Sequence, residues 1–356
     1  MYTAYFGLTK KPFNMTPDPA FLFLTEQHRE ALAGLTYSIL DRKGFLELSG
    51  TAGSGKTTLL SWVLQKLPPA QIQSSVILNP TLTRDEFIEM VMLDFGIQDI
   101  PASKAHRLWL LQQFLLKGHQ DGKVNVLVID EAHKLSAELL EEIRLLGNFE
   151  RADEKLLQVV LIGQSELDDV LSRPELWQFK QRISVRLSLR PLEASEIERY
   201  ISHRWTVAGG KNGPPFSAGA ITNIAEWSRG IPRLINSICD NALLLAFADV
   251  APSVDIDHIN AAATDLRLTK EQPALQAPPT PPNPATPPTA ATPARPAAPT
   301  GQATSPMPIT PLAVPAAVPK ARPIVRSSTR SVLGLYGTGP VRRSIFSRWA
   351  SKLGLA

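Results

Sequence analysis

A single cysteine, Cys239, stands in 356 residues. That excludes an internal disulfide framework and a cysteine-built metal site, and the scarcity of thiols agrees with a reducing cytoplasm. No window offers about 18 consecutive apolar residues, so no membrane-spanning helix is expected. Met1 to Phe23 has no unbroken apolar core behind a basic start, so no secretory signal is expected either. From Gln272 onward acid is missing altogether, while nine cations run from Arg295 to Lys352. The whole chain carries 37 basic and 33 acidic residues for a net charge of +4. With the nine tail cations set aside, 28 basic residues face 33 acidic ones over residues 1–271, a net of −5. The positive balance is a property of the tail and does not describe a basic nucleic-acid-binding globule.

What is present reads as globular. Hydrophobic residues make up 44% and charged residues 20%, ordinary usage that provides for a sizeable core. Strand-like and helix-like segments alternate over residues 1–191. Phe45–Ser49, Ser75–Asn79, Val124–Ile129, Leu157–Ile162 and Val185–Leu189 read as strands. Val124–Ile129 is the β-branched run of a strand buried on both faces. Thr83–Asp94, Lys104–Gly118 and Ala137–Asn148 read as helices, with Leu108, Leu111 and Leu115 spaced by three and four. This alternation predicts an α/β fold, a parallel sheet sandwiched by helices. Residues 192–271 carry no further strand and predict an all-helical module: Ala194–Val207, Ser217–Ser228, Pro232–Ala248 and Asp257–Leu266, with Ser217 and Asp257 as N-caps. Residues 272–323 are rich in Pro, Ala and Thr and read as a disordered linker with polyproline II tendency. Residues 324–356 form a basic tail. Within it, Arg342–Ala356 interleaves Ile345, Phe346, Trp349 and Leu353 with arginines and Lys352, as a short basic amphipathic helix does.

Two motifs carry chemistry. Gly50-Thr51-Ala52-Gly53-Ser54-Gly55-Lys56-Thr57 fits G-x-x-x-x-G-K-[ST] in full, follows a strand and opens a helix. Glycines there let main-chain N–H groups turn toward phosphate oxygens, and the helix N-terminus adds partial positive charge. Residues Gly50 to Thr58 are the expected nucleotide cradle, with Lys56 reaching the β- and γ-phosphates and Thr57 holding magnesium. In the second motif, the apolar strand Val124–Ile129 ends in Asp130 and Glu131. Asp130 is the expected second magnesium ligand and Glu131 the general base for the attacking water. His133 and Lys134 follow, either within reach of the site, and read as exposed loop residues.

These motifs, the Asp130-Glu131-Ala132-His133 run and Gly230-Ile231-Pro232-Arg233 resemble those of AAA+ ATPases. The opening Tyr5-Phe6-Gly7-Leu8, Lys11-Pro12-Phe13 and Thr16-Pro17-Asp18-Pro19, with His28-Arg29-Glu30-Ala31-Leu32, resembles the ExeA/GspA-type ATPases of the general secretion pathway over roughly residues 2–266. The resemblance implies ATP with Mg2+ as cofactors and a helical AAA+ lid after the sheet domain. It further implies Gln164 as a "sensor 1" residue orienting water and Arg182 as an arginine finger acting on a neighbouring subunit, hence a homo-oligomer. It assigns Arg233 to "sensor 2", reaching the γ-phosphate from the lid, and places Phe13–Pro19 and His28-Arg29 at the adenine. Where relatives often have proline after Gln164, this chain has Ser165.

The implied function is an ATP hydrolase that drives assembly or regulation of a secretion, pilus or exopolysaccharide system. The implied place is the cytoplasm, peripheral at the inner membrane. Relatives commonly carry a transmembrane helix and a peptidoglycan-binding domain after the ATPase, whereas a proline-rich tether and a basic end follow it in this sequence. That end suits an anionic membrane, a partner's groove or nucleic acid, and sequence does not choose among them. The alternative is a nucleic-acid-associated ATPase of the transposition-helper or origin-recognition type. The acidic balance of residues 1–271 and the lack of a helix-turn-helix reader weigh against it.

Overall fold

A computed structural model describes residues 2–269 except Pro17, Pro69, Ala152 and Asp153. The linker and basic-tail expectations for 272–323 and 324–356 lie outside the described residues. Five strands, β1 (Phe45–Gly50), β2 (Ile72–Ile77), β3 (Val124–Ile129), β4 (Leu157–Ile162) and β5 (Ile183–Leu189), form one parallel sheet in the order β2-β3-β4-β1-β5. The interior strands β3 and β4 are buried at every residue, as their near-continuous apolar sequences require.

Alternate residues of these strands feed opposite faces. Leu127, Ile129, Val159 and Leu161 meet helices α3 (Arg84–Phe95), α4 (Lys104–Gln120) and α5 (Ala137–Leu146). Val126, Val128, Val160 and Ile162 meet α1 (Glu26–Leu40) and α2 (Lys56–Lys66). The sheet is thus covered on both sides, the arrangement expected from strands alternating with helices.

The sequence placed the edge strands least well. β2 starts at Ile72 rather than Ser75 and stops at Ile77 rather than Asn79, because its polar Gln73 and Ser74 are tolerated at a half-exposed edge. β5 starts at Ile183 rather than Val185 and alternates partly buried with exposed residues.

Beyond the sheet lie α6 (Ala194–Val207), α7 (Ala218–Ser228), α8 (Pro232–Ala248) and α9 (Ile256–Asp265). Ser217 caps α7 through Ala220 N–H at 3.2 Å. α9 is capped by Asp255 and not by Asp257: the Asp255 N–H donates to His258 Nδ1 at 3.1 Å, completing a capping box two residues upstream. Cys239 is fully buried in this module, and burial pushes its thiol well above the ordinary range.

Grouped with the sheet on sequence alone, the N-terminal segment instead fills the helical core. Tyr2, Leu8, Phe13 and Phe21 pack with Ile197, Trp205 and Ile238. Thr9 N–H donates to the Ala208 carbonyl at 2.9 Å, Arg204 Nε to the Pro12 carbonyl at 2.7 Å, and the Tyr2 hydroxyl to Asp240. Tyr2 to Phe13, together with Phe21, therefore strap the helical module, and α1, a few residues later, packs against the sheet.

Gly230 fixes how the module begins. Its φ is +75°, and a Cβ there would lie 2.0 Å from the Leu192 carbonyl oxygen. Leu192 N–H donates to the Gly230 carbonyl at 2.8 Å. Only glycine permits this backbone approach, which delivers Pro232 and Arg233 to the first turn of α8.

Candidate nucleotide-binding site

In a parallel sheet all carboxyl ends lie along one edge, where ligands of such folds bind. β1, β3 and β4 are neighbours, so the loops leaving them converge. They meet the helical module around a cleft of about 600 Å³.

The loop after β1 and the first turn of α2 supply residues 52–58 of the cleft wall. Gly53 sits at φ +78°, where an added Cβ would come within 2.7 Å of Arg233 Cβ. Arg233 N–H also donates to the Gly53 carbonyl at 3.3 Å. The sequence-predicted Arg233 thus lies directly against the loop. Gly50 and Thr51 lie behind the wall, and their carbonyls accept from Lys56 Nζ at 2.7 and 3.0 Å. Lys56 is only 8% exposed. Burial lowers its pKa, opposed by the pull of Asp130, Glu131 and Glu166.

From the end of β3, Asp130 Oδ2 accepts from the Thr57 hydroxyl at 3.0 Å. The two expected magnesium ligands are therefore adjacent, and both are hard oxygen donors of the kind Mg2+ takes. Burial raises the Asp130 pKa, while the Glu131 N–H and the Thr57 hydroxyl hold it down. Glu131 adopts φ +54° and opens a 3-10 turn, Ala132–Lys134. Its Oε2 lies 3.1 Å from Lys134 Nζ and 3.5 Å from His133 Nε2. Gln164, just past β4, faces the same cleft.

Arg182 stands apart from these groups. Its guanidinium donates to the Arg144 carbonyl at 3.3 Å and to Asn148, at the carbonyl end of α5, where orphan acceptors attract a cation. It does not line the cleft of its own chain.

The N-terminal expectations divide. Asn14, Met15, Thr16 and Asp18 line the cleft. Phe13 does not, being fully buried in the helical core, and Arg29 is exposed away from it. His28 is buried and lines the cleft, wired between the Thr25 hydroxyl at 2.7 Å and the Ser54 backbone; burial lowers its pKa.

Two parts of the site escaped the sequence. One is an aromatic wall in which the Arg204 guanidinium lies 4.8 Å from the Phe21 ring centre and 5.6 Å from that of Tyr200, whose hydroxyl donates to Asn236 at 2.8 Å. Tyr200 and Arg204 share one helical face with Ile197 and Ile201, so an arginine in an apolar stripe was the available signal. The other is His133. Expected in an exposed loop, its side chain is only 13% exposed, because the turn after Glu131 tucks it toward the end of β4.

Residues 39–171 match the AAA domain family. Over 278 residues the chain is 40% identical to general secretion pathway protein A of Aeromonas hydrophila, an alignment covering 78% of this chain and 50% of that protein. The chain thus spans about half the length of this curated relative. Among solved structures, the ORC2 protein of Aeropyrum pernix in its ADPNP-ADP complexes superposes with a TM-score of 0.53 at 14% identity, covering 75% of this chain and 73% of that one. Cdc6p of Pyrobaculum aerophilum gives 0.53 at 17% identity, covering 70% of each. At such identities the two structures speak to the fold alone. The chain is accordingly a P-loop protein of the AAA+ fold, carrying an AAA domain and resembling the ExeA/GspA-type ATPases of the general secretion pathway.

Proposed function

We propose that this chain binds and hydrolyses ATP, and uses the cycle to assemble or regulate a secretion-type envelope structure. The supporting observation is the convergence of Lys56, Thr57, Asp130 and Glu131 on one cleft. ATP is preferred to GTP on the resemblance. Lys56 would leave the Gly50 and Thr51 carbonyls for the β- and γ-phosphates. Thr57 and Asp130 would hold Mg2+, which when bound neutralises charge on the phosphates. Glu131 would take the proton of the attacking water, Gln164 would orient that water, and Arg233 would report the γ-phosphate to the helical module.

The link to secretion rests on the general secretion pathway relative. Placement at the cytoplasmic face of the inner membrane rests on the same kinship. Among the described residues no helix is long and apolar enough to cross a membrane. The direct test is calorimetric titration with ATP and Mg2+, together with phosphate release in the presence and absence of DNA. Saturable binding and turnover without DNA stimulation support this reading. Turnover that requires DNA would favour the nucleic-acid alternative, and no uptake of triphosphate would end both.

Arg182 would serve a neighbouring copy, since it lies off the cleft of its own chain. Arg182→Ala should then lower turnover per site by roughly 10³-fold or more while leaving nucleotide affinity unchanged. Mixing it with Glu131→Gln subunits should restore part of the rate, because each supplies what the other lacks. Mixtures as inactive as the separate variants would remove the trans role.

A further inference from the structure

His133 lies between two groups that the proposed hydrolysis uses, one at the end of β3 and one at the end of β4. Its Nδ1 receives the main-chain N–H of Gln164 at 3.4 Å. That donor cannot change role, so Nδ1 must be the acceptor and the ring proton sits on Nε2. Nε2 in turn lies 3.5 Å from Glu131 Oε2 and 3.3 Å from the Gln164 side-chain amide nitrogen. Two N–H donors cannot bond each other, so with this tautomer the amide turns its oxygen toward the ring and shares the single Nε2–H with the Glu131 carboxylate. One imidazole therefore addresses the Glu131 carboxylate and both the main chain and the side chain of Gln164. Its 13% exposure leaves little water to compete for these contacts.

We infer that His133 is a positioning residue that holds the Glu131 carboxylate in register with Gln164, through an Nε2–H whose direction the Gln164 main chain fixes. This rests on the proposed roles of Glu131 and Gln164 and adds to them a specific coupling between the two strand ends. Lys134 contacts the same carboxylate oxygen at 3.1 Å, but its side chain is 53% exposed and solvent-screened. The orienting part therefore falls to the imidazole. Partners that orient metal ligands by the same kind of hydrogen bond typically matter by about 10–100-fold in activity, and an effect on that scale is expected here.

The full chain tests this in four forms, each assayed for kcat, KM, affinity for a fluorescent ADP analogue and thermal midpoint. His133→Ala should lower kcat by about 10–100-fold, with KM, ADP affinity and midpoint close to those of the parent. His133→Gln places an amide N–H where Nε2–H stood and should recover much of that loss. His133→Asn matches the Nδ1 side of the ring, cannot reach Glu131, and should not recover it. Equal kcat for His133→Ala and the parent overturns the inference, as does a loss shared equally by kcat, ADP affinity and midpoint, or equal behaviour of the Gln and Asn forms. Glu131→Gln, run alongside, separates the two levels. If it is inactive and His133→Ala matches the parent, only the coupling falls. If it turns over like the parent, the role of Glu131 falls and the coupling with it.

Discussion

Glu131→Gln should bind ATP with Mg2+ as the parent chain does and turn it over about 10²–10⁴-fold more slowly. The amide matches the carboxylate in shape, and its oxygen can still face Lys134 and His133, so the turn Ala132–Lys134 keeps its contacts. What is lost is the ability to accept a proton from water. Thr57 and Asp130 are untouched and 3.0 Å apart, so affinity should not move. Phosphate release measures the first quantity and a fluorescent nucleotide the second. Unaltered turnover would relocate the base. Weakened binding without slower turnover would make Glu131 a ligand rather than a base.

Lys56→Ala should lose affinity for ATP by roughly 10–150-fold, the equivalent of one hydrogen bond to a charged group at about 1.5–3 kcal/mol. The fold should survive. Burial lowers the Lys56 pKa, so holding its ammonium charged costs folding free energy at any pH below that lowered value. Alanine relieves that cost, although it leaves the Gly50 and Thr51 carbonyls without their donor. The thermal midpoint should therefore change little compared with affinity. A variant that binds ATP normally would show that main-chain amides alone grip the phosphates. An unfolded variant would show that Lys56 is chiefly structural.

The parts of this protein that were legible in sequence share one trait: their physics is local. β1 and β3 are runs of buried side chains ending in short motifs, so strand, turn and chemistry are read within a dozen residues. Edge strands β2 and β5 blur because solvent tolerates Gln73, Ser74 and Arg186 where interior strands would not. Asp257 looked like a cap on residue type, and Asp255 is one because His258 answers it. The wall of Phe21, Tyr200, Arg204 and Asn236 joins residues more than two hundred positions apart, and no spacing rule reaches that far. His133 was in view but misjudged, since its burial comes from where Gln164 stands and not from its neighbours in the chain.

The burial of Cys239 has a practical side. Thiols react as thiolates, and this one is both out of reach of solvent and held in its protonated form. A cysteine installed on the outer surface, for instance in place of exposed Lys117 or Thr222, would be the one that takes a dye. Two such dyes, one on the sheet side and one on the helical side, could follow the opening angle of the cleft through a nucleotide cycle with the native thiol left in place.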